Sequence, residues 1–263
     1  MKKTNKIIDN KYSLSINDNA YYDFSIFSDR NFIKLHAINQ KSYFCYFLIE
    51  DKTHTCRGIA SFGKFLENTF VSPINGSYGG FEFDSKISFE TKEKFIKLVL
   101  EDLHHKNSEI IKIVLPPDIY NIENNCHQIS ILLREKFSIK NIEINQYINT
   151  KTYDKDKSVK RGNRKNINKC IKKNIFFKEL NISENEDAYN IILKNRISKK
   201  YQISMQWEEL KKMMKIFPNK FLNFGLFEQK KMIASAICIK ISVDILYVFY
   251  WGELEEYKKI SPI

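Results

Sequence analysis

The runs FLNFGLF at Phe221 to Phe227, MIASAICIKI at Met232 to Ile241 and DILYVFYW at Asp244 to Trp251 decide the fold of this chain. Each run is rich in β-branched and aromatic residues, and only a short turn separates it from the next. Strands with such short connections pair with their sequence neighbours. The pattern therefore predicts a three-stranded antiparallel meander.

The segments before this meander predict helices and one further strand. A basic helix is expected from about Lys157 to Lys173, followed by a short strand from Ile175 to Leu180. Ser183 and Glu186 have the spacing of a capping box for a helix that runs to about Lys199. Another helix is expected from Gln206 to Ile216, before Pro218. The second half of the chain thus combines helices with a sheet.

The first half predicts a similar mixture. Tyr43 to Glu50 and Arg57 to Phe62 are expected to be strands, and Glu90 to His105 carries apolar residues at helical spacing. Ser88 or Thr91 is available as the N-cap of that helix. Glu109 to Leu115 is a short apolar run that ends at two prolines, and it predicts a buried strand.

Strands and helices sufficient for a core occur on both sides of a polar segment from about Thr150 to Lys157. A chain of 263 residues is also comfortable for two domains. We therefore predict an α/β (α+β) protein with two domains, residues 1–150 and 151–263. Each is expected to carry a mixed sheet flanked by helices.

The composition indicates the cellular compartment of the protein. The five cysteines are scattered and odd in number, which argues against a disulfide framework. No run approaches the roughly 20 apolar residues needed to span a bilayer. We expect a cytoplasmic protein with at most peripheral membrane contact. His104-His105 and Cys126-His127 lack the further ligands of a zinc site, and no metal is expected.

The charge of the chain has two explanations. A net charge of +12 suggests an anionic partner, but Lys, Ile and Asn are overused together, as codon bias would produce. Local clustering is therefore more informative. Lys151 to Asn174 carries ten Lys or Arg against two Asp. Arg161, Arg164 and Lys165 share one side of the predicted helix, while Val159, Ile167, Cys170 and Ile171 lean towards the other. This helix either binds phosphate groups or is merely solvated.

Two further motifs are candidates for a site. SPINGSYGGF at Ser72 to Phe81 has three glycines within five residues, so its backbone N–H groups could approach an anion or a carbonyl, or it could be an ordinary turn. FYWGEL at Phe249 to Leu254 ends a strand with Tyr250 and Glu253 beside a glycine. Such side chains suit proton transfer, although strand aromatics are usually core residues.

Four stretches together resemble the Fem-like (FemAB-type) acyltransferases of the GNAT superfamily, which are built from two GNAT-type domains. They are SPINGSYGGF at 72–81, KRGNRKNINKCIKKN at 160–174, NRISKKYQ at 195–202, and the segment from Met232 to Pro262. The resemblance implies transfer of an acyl or aminoacyl group from acyl-CoA or aminoacyl-tRNA to an amine of a cell-envelope sugar, peptide or lipid-linked precursor, as in polysaccharide biosynthesis. tRNA is thereby a candidate partner.

The resemblance also assigns candidate residues. Glu253 and Tyr250 are expected to be catalytic, and donor or substrate binding is expected of Ser77, Tyr78, Gly79, Arg161, Arg164, Lys165 and Tyr201. Two features depart from the family pattern. The usual pyrophosphate loop that opens a helix does not occur, and the chain ends at Ile263, where the second domain is expected to continue.

Other functions fit the same residues. The basic helix at 157–173 could belong to a non-enzymatic module that binds RNA or an anionic glycolipid. A shortened relative could also have a purely structural or interaction role. No Ser/His/Asp motif indicates a hydrolase.

Overall fold

The computed structural model describes residues 6–16, 24–36 and 43–260. It is an α+β structure, as the sequence predicts. The chain divides into two compact units, Met1–Asn145 and Gln146–Ile263. The division falls a few residues before the boundary expected between residues 150 and 151.

The strands and helices of the first unit are β1 Lys6–Ile7, β2 Tyr12–Ile16, α1 Arg30–His36, β3 Tyr43–Glu50, β4 Thr55–Leu66, β5 Thr69–Ser72, β6 Phe81–Phe83, α2 Phe89–His105, β7 Ile110–Ile113 and α3 Ile122–Arg134. Those of the second unit are α4 Lys155–Ser158, α5 Arg161–Lys172, β8 Ile175–Glu179, α6 Asn185–Ser198, α7 Trp207–Ile216, β9 Phe221–Glu228, β10 Lys231–Lys240 and β11 Leu246–Glu253.

The sheet of the first unit is mixed. Its strands follow the order β1-β2-β3-β4-β5-β7, and β6 also pairs with β4. All of these pairs are antiparallel except β5 with β7. Side chains on the two faces of β3 pack in two separate hydrophobic cores. Tyr46 and Leu48 join the cluster that contains Phe95 and Val99 of α2, while Phe47 and Ile49 join the cluster that contains Ile33 of α1.

Strand β7 differs from its prediction. It was expected to be a buried strand, yet its residues alternate between exposed and half-buried, and Ile110 is half exposed. The reason is its position, because β7 is the last strand of the sheet and pairs only with β5 among the described strands. The two prolines end it as expected.

The sheet of the second unit has the order β11-β10-β9-β8. Every pair of neighbouring strands in it is antiparallel, so the mixed sheet expected here is wrong for the described strands. A parallel pair needs a crossover connection, and the connections from β9 to β11 are too short for one.

Helices α6 and α7 cover one face of this second sheet. The Ser235 hydroxyl of β10 donates a 2.8 Å hydrogen bond to the carbonyl of Ala188 in α6. Asn223 of β9 donates to the side-chain oxygen of Asn185 in α6 at 2.8 Å. The capping box lies earlier than predicted. It joins Asn181 to Glu184 and precedes α6 by one short 3-10 turn.

Among the described residues of this unit, α5 and the last 3-10 turn cover one end of the other face of the second sheet. Cys170 of α5 packs there against a cluster that contains Ile175, Ile233 and Ile260, together with Leu226 of β9. The helix predicted from 157 to 173 is thus two helices, α4 and α5, with Lys160 as the N-cap of α5. We call this side of the sheet the α5 face.

Candidate functional site

The two residues expected to be catalytic lie on opposite faces of β11. Tyr250 is paired with Ile237 and Glu253 with Ala234, and the pairing between these two positions is regular. Because successive side chains of a strand alternate, residues three apart point to opposite sides. Tyr250 is therefore on the face covered by α6, and Glu253 is on the α5 face. The structure does not bring their side chains together.

Tyr250 is part of the core. It is buried, and its hydroxyl lies 2.5 Å from the hydroxyl of Ser204. Burial raises the pKa of Tyr250 above its ordinary value. The nearby Tyr189 donates a 3.1 Å hydrogen bond to the carbonyl of Met205. The two tyrosines together anchor the segment that leads into α7, which is a structural role.

Glu253 has one buried carboxylate oxygen. Its Oε2 atom is buried and has no hydrogen-bond partner among the described residues. The backbone carbonyl of Glu253 accepts a 2.9 Å hydrogen bond from the side-chain amide of Asn195. A buried polar atom without a partner is costly, so it is kept where a ligand or a proton can satisfy it. Glu253 is the stronger candidate for proton transfer.

A groove lies along β10 on the α5 face. Its floor is formed by small side chains, and larger side chains flank it on both neighbouring strands. The floor consists of Ala234, Ala236 and Cys238, the β9 wall of Leu222, Phe224 and Leu226, and the β11 wall of Val248, Trp251 and Glu253. We call it the β10 groove, and Glu253 lies at its α5 end.

Two side chains of the β11 wall are exposed to solvent, whereas Ala234 and Cys238, at the two ends of the floor, are each 1% exposed and are covered by their neighbours. Val248 is 44% exposed and Trp251 is 47% exposed. Beside the β9 wall, Phe177 of β8 is 63% exposed and stacks on Phe224 with ring centroids 5.0 Å apart. Outward positions of a sheet with one covered face are ordinarily polar. Exposed apolar side chains on this face therefore indicate a binding surface.

A β-bulge interrupts β11 next to the groove. Cys238 is paired with Val248 and Ile237 with Tyr250, so Phe249 has no partner on β10. On its other edge β11 pairs with no strand of the described chain. Bulges are frequent next to active sites, where they redirect side chains and leave backbone groups unpaired.

Helix α5 lies on the same face, but its basic side chains are on the side of the helix opposite Cys170 and point away from the sheet. Arg161, Arg164 and Lys165 are exposed and lie at helical spacing on one side. The expected apolar side is only partly formed, because Ile171 is 60% exposed and α5 has no fully buried residue. The contact of Cys170 with the Leu226 cluster places α5 near the Glu253 end of the groove.

The backbone N–H groups of the glycine-rich loop form hydrogen bonds within the first unit. Gly79 donates to the carbonyl of Val114 at 2.7 Å, and Gly80 donates to the Ser72 hydroxyl at 2.9 Å. Phe81 donates to the side-chain oxygen of Gln128 at 3.2 Å. These N–H groups therefore hold the loop to its own fold and are not free to bind a carbonyl.

The remaining loop candidates also have packing roles. Tyr78 is 4% exposed and packs edge-to-face on Phe27 and Tyr120. A side chain at Gly79 would meet the Ser72 hydroxyl at 2.5 Å, which explains the glycine. Ser77 is half-buried. Their assignment to ligand binding stays a prediction.

Tyr201 follows α6 and is exposed. Its backbone N–H donates to the carbonyl of Arg196 at 2.9 Å, which closes the end of the helix. Its ring is accessible to a ligand, and its binding role also stays a prediction.

A comparison with models of known protein families finds no match. Within the described ranges, no group of three or more His, Cys, Asp or Glu residues could hold a metal ion. None of the helices in that part of the chain is long and apolar enough to cross a membrane.

Sequence reasoning missed the β10 groove and the bulge. One signal for the groove was present, since Ala234, Ala236 and Cys238 alternate along the strand and leave one side of it with small side chains. The bulge has no comparable signal. It depends on the register of two strands, which a single sequence does not specify.

Proposed function

We propose that this chain is an acyltransferase of the Fem-like, GNAT-type class. It would move an acyl or aminoacyl group from a carrier such as acyl-CoA or aminoacyl-tRNA to an amine of a cell-envelope sugar, peptide or lipid-linked precursor in the cytoplasm. The observation that carries the proposal is the buried, unpartnered Oε2 of Glu253 at one end of the β10 groove.

Each part of the site would have a specific role. The phosphate-bearing part of the donor binds Arg161, Arg164 and Lys165, because arginine and lysine donate charge-assisted hydrogen bonds to phosphate oxygens. The acyl group lies in the β10 groove. Its carbonyl accepts hydrogen bonds from backbone N–H groups at the open edge of β11, which stabilise the oxyanion that develops there.

The reaction is a direct transfer. The acceptor amine attacks the carbonyl carbon and forms a C–N bond, the bond from carbon to the carrier's sulfur or oxygen breaks, and the carrier leaves as a thiol or an alcohol. Glu253 removes the proton that the amine loses. Most of the rate enhancement would come from positioning the two substrates.

The test compares two glutamates on the same face of the sheet. We expect Glu253→Gln to lower thiol release from acyl-CoA with amino-sugar acceptors by about 100-fold or more, the usual contribution of a general base. Glu179→Gln is the matched control, because Glu179 is exposed and lies in the row of Phe224. Equal activity of the two variants would refute the role of Glu253.

A second function is favoured by one observation. The α5 face combines a helix rich in lysine and arginine with exposed Phe177 and Trp251, and basic and aromatic surfaces bind single-stranded RNA. RNA binding that weakens with salt, without acyl transfer to any amine tested, would establish that function instead.

A further inference from the structure

We propose that the chain forms a dimer by strand exchange, in which residues 138–145 of each copy pair with the open edge of β7 in the other copy. The segment and the strand both belong to the first unit. The inference goes beyond the proposed function and does not depend on it. It follows from a segment with the sequence of a strand but no sheet, and from a sheet edge with no neighbouring strand.

The segment after α3 has the sequence of a strand. Residues 138–145 read SIKNIEIN. Ile142 and Ile144 alternate with two asparagines and Glu143, which is the pattern of a strand with one apolar and one polar face. The sequence therefore predicts that the two isoleucines are buried against an apolar surface.

The structure leaves these isoleucines in water. Ile142 is 84% exposed and Ile144 is 94% exposed. Residues 138–145 are neither helix nor strand, and no backbone hydrogen bond within the described chain involves them. Burial of isoleucine side chains is favourable, and an extended segment readily adds to a sheet through its backbone. The segment is therefore suited to pair with an open strand.

The cap of α3 leads the segment out of its own core. Lys136 has a φ of 66°, and the Phe137 amide donates a 3.0 Å hydrogen bond to the carbonyl of Leu132. Such a cap ends the helix and fixes the start of the chain that follows. Phe137 packs against the core cluster of the first unit, and residues 138–145 are all exposed. A second copy can therefore reach the segment.

Strand β7 offers an edge of matching polarity. It is the last strand of its sheet, and its outer edge has no partner among the described strands. Ile111 and Ile113 pack against the core of the first unit but are only half-buried, whereas Lys112 is exposed on the other face. Open edges of this kind pair with strands of other chains. An added strand would cover Ile111 and Ile113 with its own apolar face.

The two strands match in charge as well as in polarity. In the matching register, the two isoleucines of the segment lie beside Ile111 and Ile113 of β7. Glu143, which stands between the two isoleucines, then lies beside Lys112 whichever way the strands run. Opposite charges on neighbouring strands stabilise the pairing. A slip of one residue would turn the apolar face of the segment to the solvent, so this register is specific.

A second copy is the occupant that completes this arrangement. Each chain carries one such segment and one such edge, so two copies form both exchanged pairs around a twofold axis. Neither a segment nor a β7 edge is then left unpaired. The dimer is therefore closed and does not grow into a filament.

Light scattering during size-exclusion chromatography of the whole chain, over a series of concentrations, measures its mass. We expect twice the 31.2 kDa of one chain. Ile144→Asp should give the mass of the monomer, because it places a carboxylate on the face that becomes buried. Ile139→Asp is the matched control, since Ile139 is on the polar side with Glu143, and it should leave the dimer intact. Both isoleucines are exposed in the single chain, so the fold should tolerate both changes.

Charge reversal tests the exchange between copies. Lys112→Glu and Glu143→Lys each place like charges side by side at both contacts of the dimer, and each should weaken it about tenfold. An equimolar mixture of the two variants should restore the parent affinity, because each mixed dimer contains two pairs of opposite charge. The double variant in one chain should dimerise like the parent.

Three results would overturn the proposal. The first is a monomeric parent chain at every concentration. If residues 138–145 of that monomer were protected from hydrogen exchange, the segment would pair with β7 of its own chain instead. The second is a dimer that survives Ile144→Asp. The third is a mixture of the two charge variants that associates no better than either variant alone.

Discussion

Tyr250 and Glu253, three residues apart on one strand, face opposite sides of the second sheet, and only Glu253 lies beside the β10 groove. The tyrosine hydroxyl meets Ser204, whereas one carboxylate oxygen of the glutamate has no partner within the described residues. Proximity in sequence had suggested a shared catalytic role for the two side chains. Their placement puts them in different environments.

The first prediction follows from this difference. Tyr250→Phe removes the hydrogen bond to Ser204 and should lower the free energy of unfolding by about 1 kcal/mol, while most of the transfer activity remains. Urea unfolding and the thiol-release assay measure the two effects. A large loss of activity at unchanged stability would show that Tyr250 takes part in the reaction.

The second prediction concerns the basic helix. Arg161→Ala and Lys165→Ala should each weaken CoA binding about tenfold, because each removes a charge-assisted contact to phosphate. The loss should shrink at high salt, which screens the same contact in the parent protein. Lys211→Ala is the matched control, because Lys211 is an exposed residue of α7. Unchanged affinity in the α5 variants would mean that the helix is only solvated.

The third prediction tests the glycine-rich loop. A methyl group at Gly79 would lie 2.5 Å from the Ser72 hydroxyl and 2.8 Å from the nitrogen of Pro73, so Gly79→Ala should destabilise the first unit by about 1–3 kcal/mol.

Gly162 provides the control, because a methyl group there would meet nothing within 4 Å. Gly162→Ala should leave stability unchanged or raise it by up to about 1 kcal/mol, as expected for alanine in a helix. Equal urea midpoints for the two variants would contradict a packing role for Gly79.

The fourth prediction is a loss of stability at alkaline pH. Burial raises the pKa of the Cys45 thiol to about 12 and that of Cys238 to about 11. In the unfolded chain these thiols ionise near their ordinary pKa of 9.0, while the folded protein keeps them protonated. Their contribution is therefore complete below pH 9 and falls as the pH rises towards the folded pKa values. At pH 10 each thiol should cost roughly 1 kcal/mol.

Urea unfolding under reducing conditions at pH 8 and pH 10 measures this loss. Cys45→Ala should flatten the pH dependence, whereas Cys126→Ser should leave it unchanged, since Cys126 is exposed. Identical pH dependence in the parent and in Cys45→Ala would show that this thiol does not contribute.

Local features of the fold could be predicted from the sequence. The Ser88 hydroxyl accepts a 3.2 Å hydrogen bond from the Thr91 amide at the start of α2, and β3 has its predicted bounds. These features depend on interactions between residues close in sequence. The exposure of Ile171 and the open edge of β7 depend on which elements pack around them, so helical periodicity and hydrophobicity alone gave the wrong burial.

The candidate site was predictable in the same limited sense. Glu253 and the basic helix could be found because a strand-end carboxylate and a charge cluster are visible in the sequence. The β10 groove requires three strands in a specific register, and that register is set by tertiary packing.

The bulge at Phe249 changes which side chains of β11 share a face of the sheet. Strict alternation would put Val248 and Trp251 on opposite sides, yet the extra residue brings both to the same wall. Deletion of Phe249 would restore regular alternation of the side chains along β11. The part of the strand before or after the deletion would then have to turn its side chains to the other face. A length change of one residue, with no change of chemistry, would then exchange Trp251 and Glu253 with Tyr250 and Gly252 on the two sides of the sheet.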